Sequence, residues 1–363
     1  MRSATDRRPP WALMATAVIL LIAGLFNLYS ASSVSIPRAF YMQLVWLGVG
    51  LLISIPLIVI DYRVWERLGK YLWIITAVLL VAVLFSKSIA GSHRWLVLGP
   101  IRLQPSELAK VVLILTLAQH FQEEGRPGPY NLKQLIKPLF YILGFVGLVI
   151  IEPDLGTSLI IMFIGVTMVL VAGVERRTLL GFLVAAIVAI PIGWIYALKD
   201  YQKTRILTLL SAGGAADTRG AGYHAYQSLI AVGSGEVTGK GYLQGTQNMM
   251  RFLPEQHTDF AFAVFAEEFG FIGSVLLMAT FVAFLILSLR VAWMAREKFG
   301  IFVATGITTL FALHVFINIG MVTGMLPVVG MTLPFFSYGG SSLLIFIVCT
   351  ALLINIHSRR QMF

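Results

Sequence analysis

Between positions 251 and 268 the chain reads RFLPEQHTDFAFAVFAEE, a polar interruption in an otherwise apolar sequence. Arg251, Glu255, His257, Asp259, Glu267 and Glu268 stand there among aromatic and apolar residues, at the entry to a long hydrophobic run. A carboxylate in that setting can act as a general base, because partial burial raises its pKa while a bound hydroxyl can still reach it. Asp259 suits that role, and it equally suits the plainer role of a helix cap. Glu255 and Glu267 compete on the same grounds. His257 and Asp259 alone do not make a metal site. No HExxH, P-loop, dinucleotide fingerprint, GxSxG elbow or zinc cysteine pair appears in the chain. Nucleotide hydrolysis and serine-type acyl transfer therefore have no footing.

Three other clusters carry charge where apolar residues would be expected. Glu107 and Lys110 are spaced i,i+3, on one face of a helix, where burying either alone in lipid is costly. They form either a structural ion pair or a lysine set to meet a phosphate, with Ser106 as a possible cap just before. In GSHRWLVLG (91–99), Trp95 fits an interfacial belt or a platform for a sugar ring, and Arg94 fits a lipid phosphate. In EPDLGTSL (152–159), Glu152 and Asp154 can cap the helix that starts after Pro153 or hold a cation, capping being the simpler reading.

The elements that must position these groups are membrane helices. Of 363 residues 58% are hydrophobic and only 12% are charged, too little polar surface for a soluble domain. The net charge of +10 is scattered in short clusters between apolar runs, a pattern of topology signals rather than a nucleic-acid surface. The single cysteine, Cys349, excludes an internal disulfide. Apolar stretches predict about ten spans, at 11–31, 39–60, 71–87, 105–121, 136–151, 155–173, 179–198, 262–290, 300–322 and 338–357. The first follows Arg2, Arg7 and Arg8 without a small-residue cleavage site and reads as a retained helix. Lys and Arg concentrate in alternate gaps, 61–70 among them, which puts both termini inside. The expectation is a single all-α polytopic membrane domain over 1–363, with one long external loop, 199–261, between helices seven and eight. That loop is rich in glycine and in polar and aromatic side chains. It predicts an ordered connection, amphipathic over 221–231 and lying on the membrane surface.

Several longer motifs together resemble the SEDS family of polytopic bacterial envelope proteins. They are DYRVWERL (61–68), GSHRWL (91–96), QPSELAK (104–110), EPDLGTSL (152–159), GKGYLQGTQ (239–247), LPEQHTDFAFAVFAEEFGFIG (253–273) and INIGMVTGMLPVVGMTLPFFSYGGSS (317–342). Gln256, the short termini and the compact length are more similar to the elongation branch, RodA, than to the division branch, FtsW. The resemblance implies an inner-membrane glycosyltransferase that polymerises lipid II into peptidoglycan outside the cell. It also implies a partnership with a class B penicillin-binding protein and the elongation machinery. It places the catalytic aspartate at Asp259, the motif tryptophan at Trp95 and the helix-four charged pair at Glu107 and Lys110. Lys110 and Arg251 are the first candidates to neutralise a pyrophosphate, with Arg94, Arg205, Lys240 and His257 behind them, and a divalent cation (Mg or Mn) can share that work. A lipid II flippase and a non-catalytic scaffold are the competing functions.

Overall fold

The computed structural model describes residues 9–33, 37–86, 94–98, 101–125, 128–197, 200–210, 221–250 and 256–359. The chain folds into a helical bundle: α1 Trp11–Ser33, α2 Pro37–Val59, α3 Tyr62–Leu84, α4 Pro105–Glu124, α5 Leu132–Ile151, α6 Leu155–Ala172 and α7 Arg176–Ile192. A π turn at Gly193–Ala197 ends α7; α8 Asp200–Leu210, α9 Ala221–Ser234, α10 Thr246–Met249, α11 Ala261–Met294, α12 Lys298–Val322 and α13 Gly340–Arg359 follow. Among the described residues, nine of these helices are long and apolar enough to cross a membrane. The twenty-residue α4, with Glu107, Lys110, Gln119, His120 and Gln122, is too polar overall to join them, yet it is buried along nearly its whole length and packs against α3, α5, α6, α12 and α13 at the bundle's centre. The expected ten spans thus correspond to nine lipid-compatible helices and one sheathed by protein.

One expectation changes. The segment 61–70, read as a loop, is the start of α3, with Asp61 capping it by accepting from Arg63 N at 3.0 Å. Arg359 of α13 adds an ion pair to Asp61, and Arg63 pairs with Glu297 ahead of α12, so these charges tie helices together at one end of the bundle. Asn355 of α13 reinforces that end by donating to the Leu57 and Ile60 carbonyls. The fold is all-α as expected, with one small hairpin added ahead of α4: β1 Leu96–Leu98 and β2 Ile101–Leu103 pair antiparallel, Leu96 opposite Leu103. The amphipathic stretch at 221–231 becomes α9, which packs one face on α11 and α12 and leaves Tyr226, Leu229 and Ile230 exposed on the other. Ala231 and Ser228 are fully buried, and Ser228 Oγ donates to the Val322 carbonyl.

Among the described residues, two segments leave the helical path inside the bundle, and both find their hydrogen bonds in protein, as backbone shielded from water must. In α11 the helix breaks at Gly270 (φ 64°, ψ −161°). The freed carbonyls of Glu267 and Glu268 accept from Lys240 N and Gly241 N, and the freed amides of Phe271 and Ile272 donate to Glu236 and Val237. Gly239 makes the contact possible: a Cβ there would stand 2.1 Å from the Glu268 carbonyl oxygen, at a φ of +80°. Lys240 and Thr246 close the joint on Glu267 Oε1, at 2.6 and 2.9 Å.

The second segment is 323–339, between α12 and α13. Its turn at Phe335 and Phe336 reaches Gly24 of α1, where a Cβ would lie 2.4 Å from the Phe335 carbonyl oxygen. Gly24 is roughly 13 Å from the end of α1 at 1.5 Å per residue, so this turn re-enters the bundle deeply. Leu333 N donates to Ser337 Oγ, Ser337 N to Leu333 O, and Gln43 to the Ser337 carbonyl, which leaves the turn well paired. The same face of α1 holds the start of α11. Asn27 donates to Ala261 O at 2.9 Å, Ala31 O accepts from Gln256, and Ser30 hydrogen-bonds Glu268.

A methyl group at the α11 joint should be intolerable. Gly239→Ala and Gly270→Ala are expected to lower the melting temperature in detergent by several degrees or abolish folded yield. Gly48→Ala in α2, where nothing lies within 4 Å of the added carbon, should melt like the parent.

Candidate active site

Asp259 sits in the turn 256–260, one residue before Phe260, the N-cap of α11. The cap position is therefore not its own. Its carboxylate is half-buried and faces Gly330, where a built Cβ would lie 3.3 Å from Oδ2. Gly330 has φ +75° and belongs to the nonhelical segment 327–333, so glycine there serves both the backbone and the carboxylate. The turn is fastened on three sides. Gln256 reaches α1, His257 O accepts from Tyr338 N at 2.8 Å, and Asp259 O accepts from Asn318 Nδ2 at 2.9 Å.

Lys110 is fully buried. Its Nζ contacts Glu107 Oε1 at 2.7 Å and His314 Nε2 at 3.0 Å. His314 Nδ1 faces the Thr332 carbonyl at 3.0 Å. A carbonyl only accepts, so these partners assign the ring proton to Nδ1 and leave Nε2 to accept from Lys110. The sequence left Lys110 as either an ion pair or a phosphate ligand, and the structure supplies the ion pair plus a third member, His314. Glu107 Oε2 is buried with no hydrogen-bond partner among the described residues.

The other expected residues are distributed around this centre. Arg94 donates to the backbone carbonyls of Glu152 (Nε, 3.0 Å) and Pro153, which ties the β1 approach to the α5–α6 corner. Trp95 is half-buried beside it. Arg205 of α8 donates to Val328 O at 2.8 Å, which brings that helix to the 327–333 segment. Lys240 lies in the α11 joint, bound to Ser234, Thr246 and Glu267. The His257 ring lies 5.7 Å from that of Tyr338. Arg251 and Glu255 lie outside the described residues. Ser106 does not cap α4; Gln104 holds that position and donates to Ser106 Oγ and to Asp154 Oδ2. Asp154 does cap α6, accepting from Thr157 N at 3.2 Å. Among the described residues no three His, Cys, Asp or Glu side chains group as metal ligands.

Sequence reasoning missed His314, Asn318, Gly330, Arg38 and Arg102. His314 and Asn318 are four apart on α12, a spacing that puts them on one face, and a polar pair inside an apolar helix was the available signal. Arg38 and Arg102 are exposed and close enough to Tyr338 to act on it. Burial pushes the Tyr338 hydroxyl above its usual range, and the two guanidinium groups pull it back. Only the fold could place these two arginines at the same tyrosine.

Helices that cross a membrane, a central charged helix, and a half-buried aspartate held over irregular backbone define a polytopic membrane protein with an enzyme-like polar centre. The FtsW/RodA/SpoVE family model, described as "Cell cycle protein", matches residues 10–362, and the chain belongs to that family. It is 42% identical over 318 residues to the peptidoglycan glycosyltransferase MrdB of Escherichia coli K12, covering 87% of this chain and 85% of that one. It superposes on a chain from a structure of a peptidoglycan synthase complex that coordinates polymerization and crosslinking. That match has a TM-score of 0.83 and 32% identity and covers 97% of this chain and 98% of the other. The rod shape determining protein RodA of Thermus thermophilus aligns at a TM-score of 0.71 and 30% identity, covering 97% of each.

Two predictions follow from the buried charges. Lys110→Met leaves Glu107 buried without its partner, a change of the kind that costs about 3–5 kcal/mol. The double substitution Lys110→Met with Glu107→Gln should melt above Lys110→Met alone. Glu152, at the end of α5, is buried, and neither carboxyl oxygen has a hydrogen-bond partner among the described residues. Burial, reinforced by the Asp154 carboxylate and opposed by Arg94, pushes its pKa from 4.5 up to about 8. The raised folded value means that its contribution is fully present below pH 4.5 and is lost as pH rises to about 8. The melting-temperature advantage of Glu152→Gln over the parent should therefore grow across that window, and a constant difference would contradict it.

Proposed function

We infer that this chain is a membrane peptidoglycan glycosyltransferase, the activity for which its relatives are named, and that Asp259 is its general base. The observation that carries the assignment is the half-buried Asp259 carboxylate, held over Gly330 on a turn fastened to α1, α12 and the 323–339 segment. Such a carboxylate is rigidly aimed yet reachable, which general-base catalysis requires.

The acceptor is lipid II, and the donor is the growing glycan on its undecaprenyl pyrophosphate. Asp259 takes the proton of the acceptor GlcNAc 4-hydroxyl as its oxygen bonds to C1 of the donor MurNAc. The bond from C1 to the pyrophosphate oxygen breaks with inversion. The electron pair leaves on undecaprenyl pyrophosphate, which needs positive charge rather than a proton. Arg38 and Arg102, exposed and both acting on Tyr338, whose amide holds the 256–260 turn, are our candidates to supply it, with Arg251 retained from the sequence for the same work. Lys110, fully buried on Glu107 and His314, stabilises the scaffold instead.

The site opens on the extracytoplasmic face of the bacterial inner membrane, where the alternate basic gaps put it. A class B penicillin-binding protein crosslinks the product, within the elongation machinery. The relative solved within a complex that couples polymerization to crosslinking supports that partnership.

Purified Asp259→Ala and Asp259→Asn, folded and competent for their partner, should lose at least about 100-fold in lipid II polymerisation. Near-normal turnover by either would remove Asp259 as the base. Headgroup translocation by the parent without strand formation would identify a flippase. Partner recruitment with no polymerisation by the parent would leave a scaffold.

A further inference from the structure

We propose that Asn318 is a positioning residue for Asp259, an inference that rests on the general-base reading above. Asn318 is fully buried in α12, a turn from His314. Its single Nδ2 group donates to two carbonyls on different segments, Asp259 O at 2.9 Å and Met331 O at 2.5 Å. Met331 follows Gly330, the residue over which the Asp259 carboxylate lies. One side chain thus sets both the backbone that carries the carboxylate and the surface it rests on.

The chemistry of the residue argues for this use. Asn318 Oδ1 is buried and accepts no hydrogen bond among the described residues. An unsatisfied buried acceptor is destabilising, and in an apolar helix a leucine of similar size would avoid it. Its retention makes sense if the two donors do something that packing alone cannot. The partners they hold are nonhelical backbone groups, whose own amide and carbonyl bonds do not specify a distance between them.

The 327–333 segment is itself held from every side, so Asn318 fastens Asp259 to a fixed support. His314 Nδ1 donates to Thr332 O, Thr332 Oγ1 bonds Ser342 Oγ at 2.7 Å, and Arg205 donates to Val328 O. Gly156 of α6 admits the segment closely, since a Cβ there would lie 2.5 Å from Met331 Cε. Replacing Asn318 leaves the bonds of the turn 256–260 to α1 and Tyr338 in place and removes the amide that links it to this support. The expected result is a carboxylate that still binds near substrate and misses its productive position.

Asn355 provides the control. It is also fully buried and also bridges two carbonyls through Nδ2, Leu57 O at 2.5 Å and Ile60 O at 2.6 Å, but at the opposite end of the bundle. Steady-state polymerisation of lipid II by purified protein should separate the two. Asn318→Ala is expected to lower kcat about 10- to 100-fold with KM within about two-fold, while Asn355→Ala loses thermal stability and keeps its kcat. Asn318→Ser, which retains one donor, should fall between Asn318→Ala and the parent. Gly330→Ala approaches from the carboxylate side and should reproduce the kcat loss without a KM change. The proposal is overturned if Asn318→Ala keeps its kcat, if its loss lies in KM, or if Asn355→Ala loses kcat equally. Should Asn318→Ala and Asn318→Ser not fold, an unchanged kcat in Gly330→Ala overturns it. An inactive Asp259→Asn beside a fully active Asn318→Ala defeats this inference alone. An active Asp259→Asn defeats the general-base reading and this inference with it.

Discussion

Backbone that leaves the helix inside a bilayer must find its hydrogen bonds in the protein, and this constraint organises the molecule. Among the described residues it is met at two places, the break in α11 at Gly270 and the dipping segment between α12 and α13. Each irregular stretch is paired by another irregular stretch or by a buried side chain. Asp259 lies beside the second of them, in the turn that leads into α11 and over Gly330. Irregular backbone is what allows a half-exposed carboxylate to stand there, because a continuous helix would present only lipid or a packed seam.

The buried charges follow the same logic. A lysine with no exposure is tolerable only with a partner for its charge and further acceptors for its protons. Glu107 and His314 supply these, and through His314 the charge on α4 bears on the carbonyl of Thr332. Glu267 plays the equivalent part at the joint in α11, gathering Lys240, Thr246 and the Gln247 amide on one oxygen. In both places an ionic group does geometric work: it fixes the separation of two elements that apolar packing would leave free to slide.

Much of this was legible in the sequence, and the limits of that reading have physical reasons. Apolar length located the helices, since each must span the same thickness. The 61–70 segment was misread because its charges resemble a loop, although Asp61, Arg63 and Glu297 use those charges to pair helix ends. The β hairpin escaped notice because three-residue strands carry too little periodicity. Glu107 and Lys110 stood out as charges in an apolar helix, but their third member lies some two hundred positions away, and spacing cannot report a contact between α4 and α12. Asp259 was visible as one carboxylate among several. What distinguishes it, a glycine with positive φ beneath it and an amide behind it, exists only once the chain has folded.

The first helix shows how far that folding reaches. By composition α1, with no charged side chain, reads as an ordinary hydrophobic anchor. Its face nonetheless bears the imprint of the site: a notch at Gly24 for the Phe335 turn, then Asn27, Ser30 and Ala31 gripping the start of α11 and the turn before it. It works as a mould as much as a tether. Replacing it with a borrowed leader or a fusion helix of equal greasiness would deliver the chain to the membrane and leave the site without the surface it was cast against.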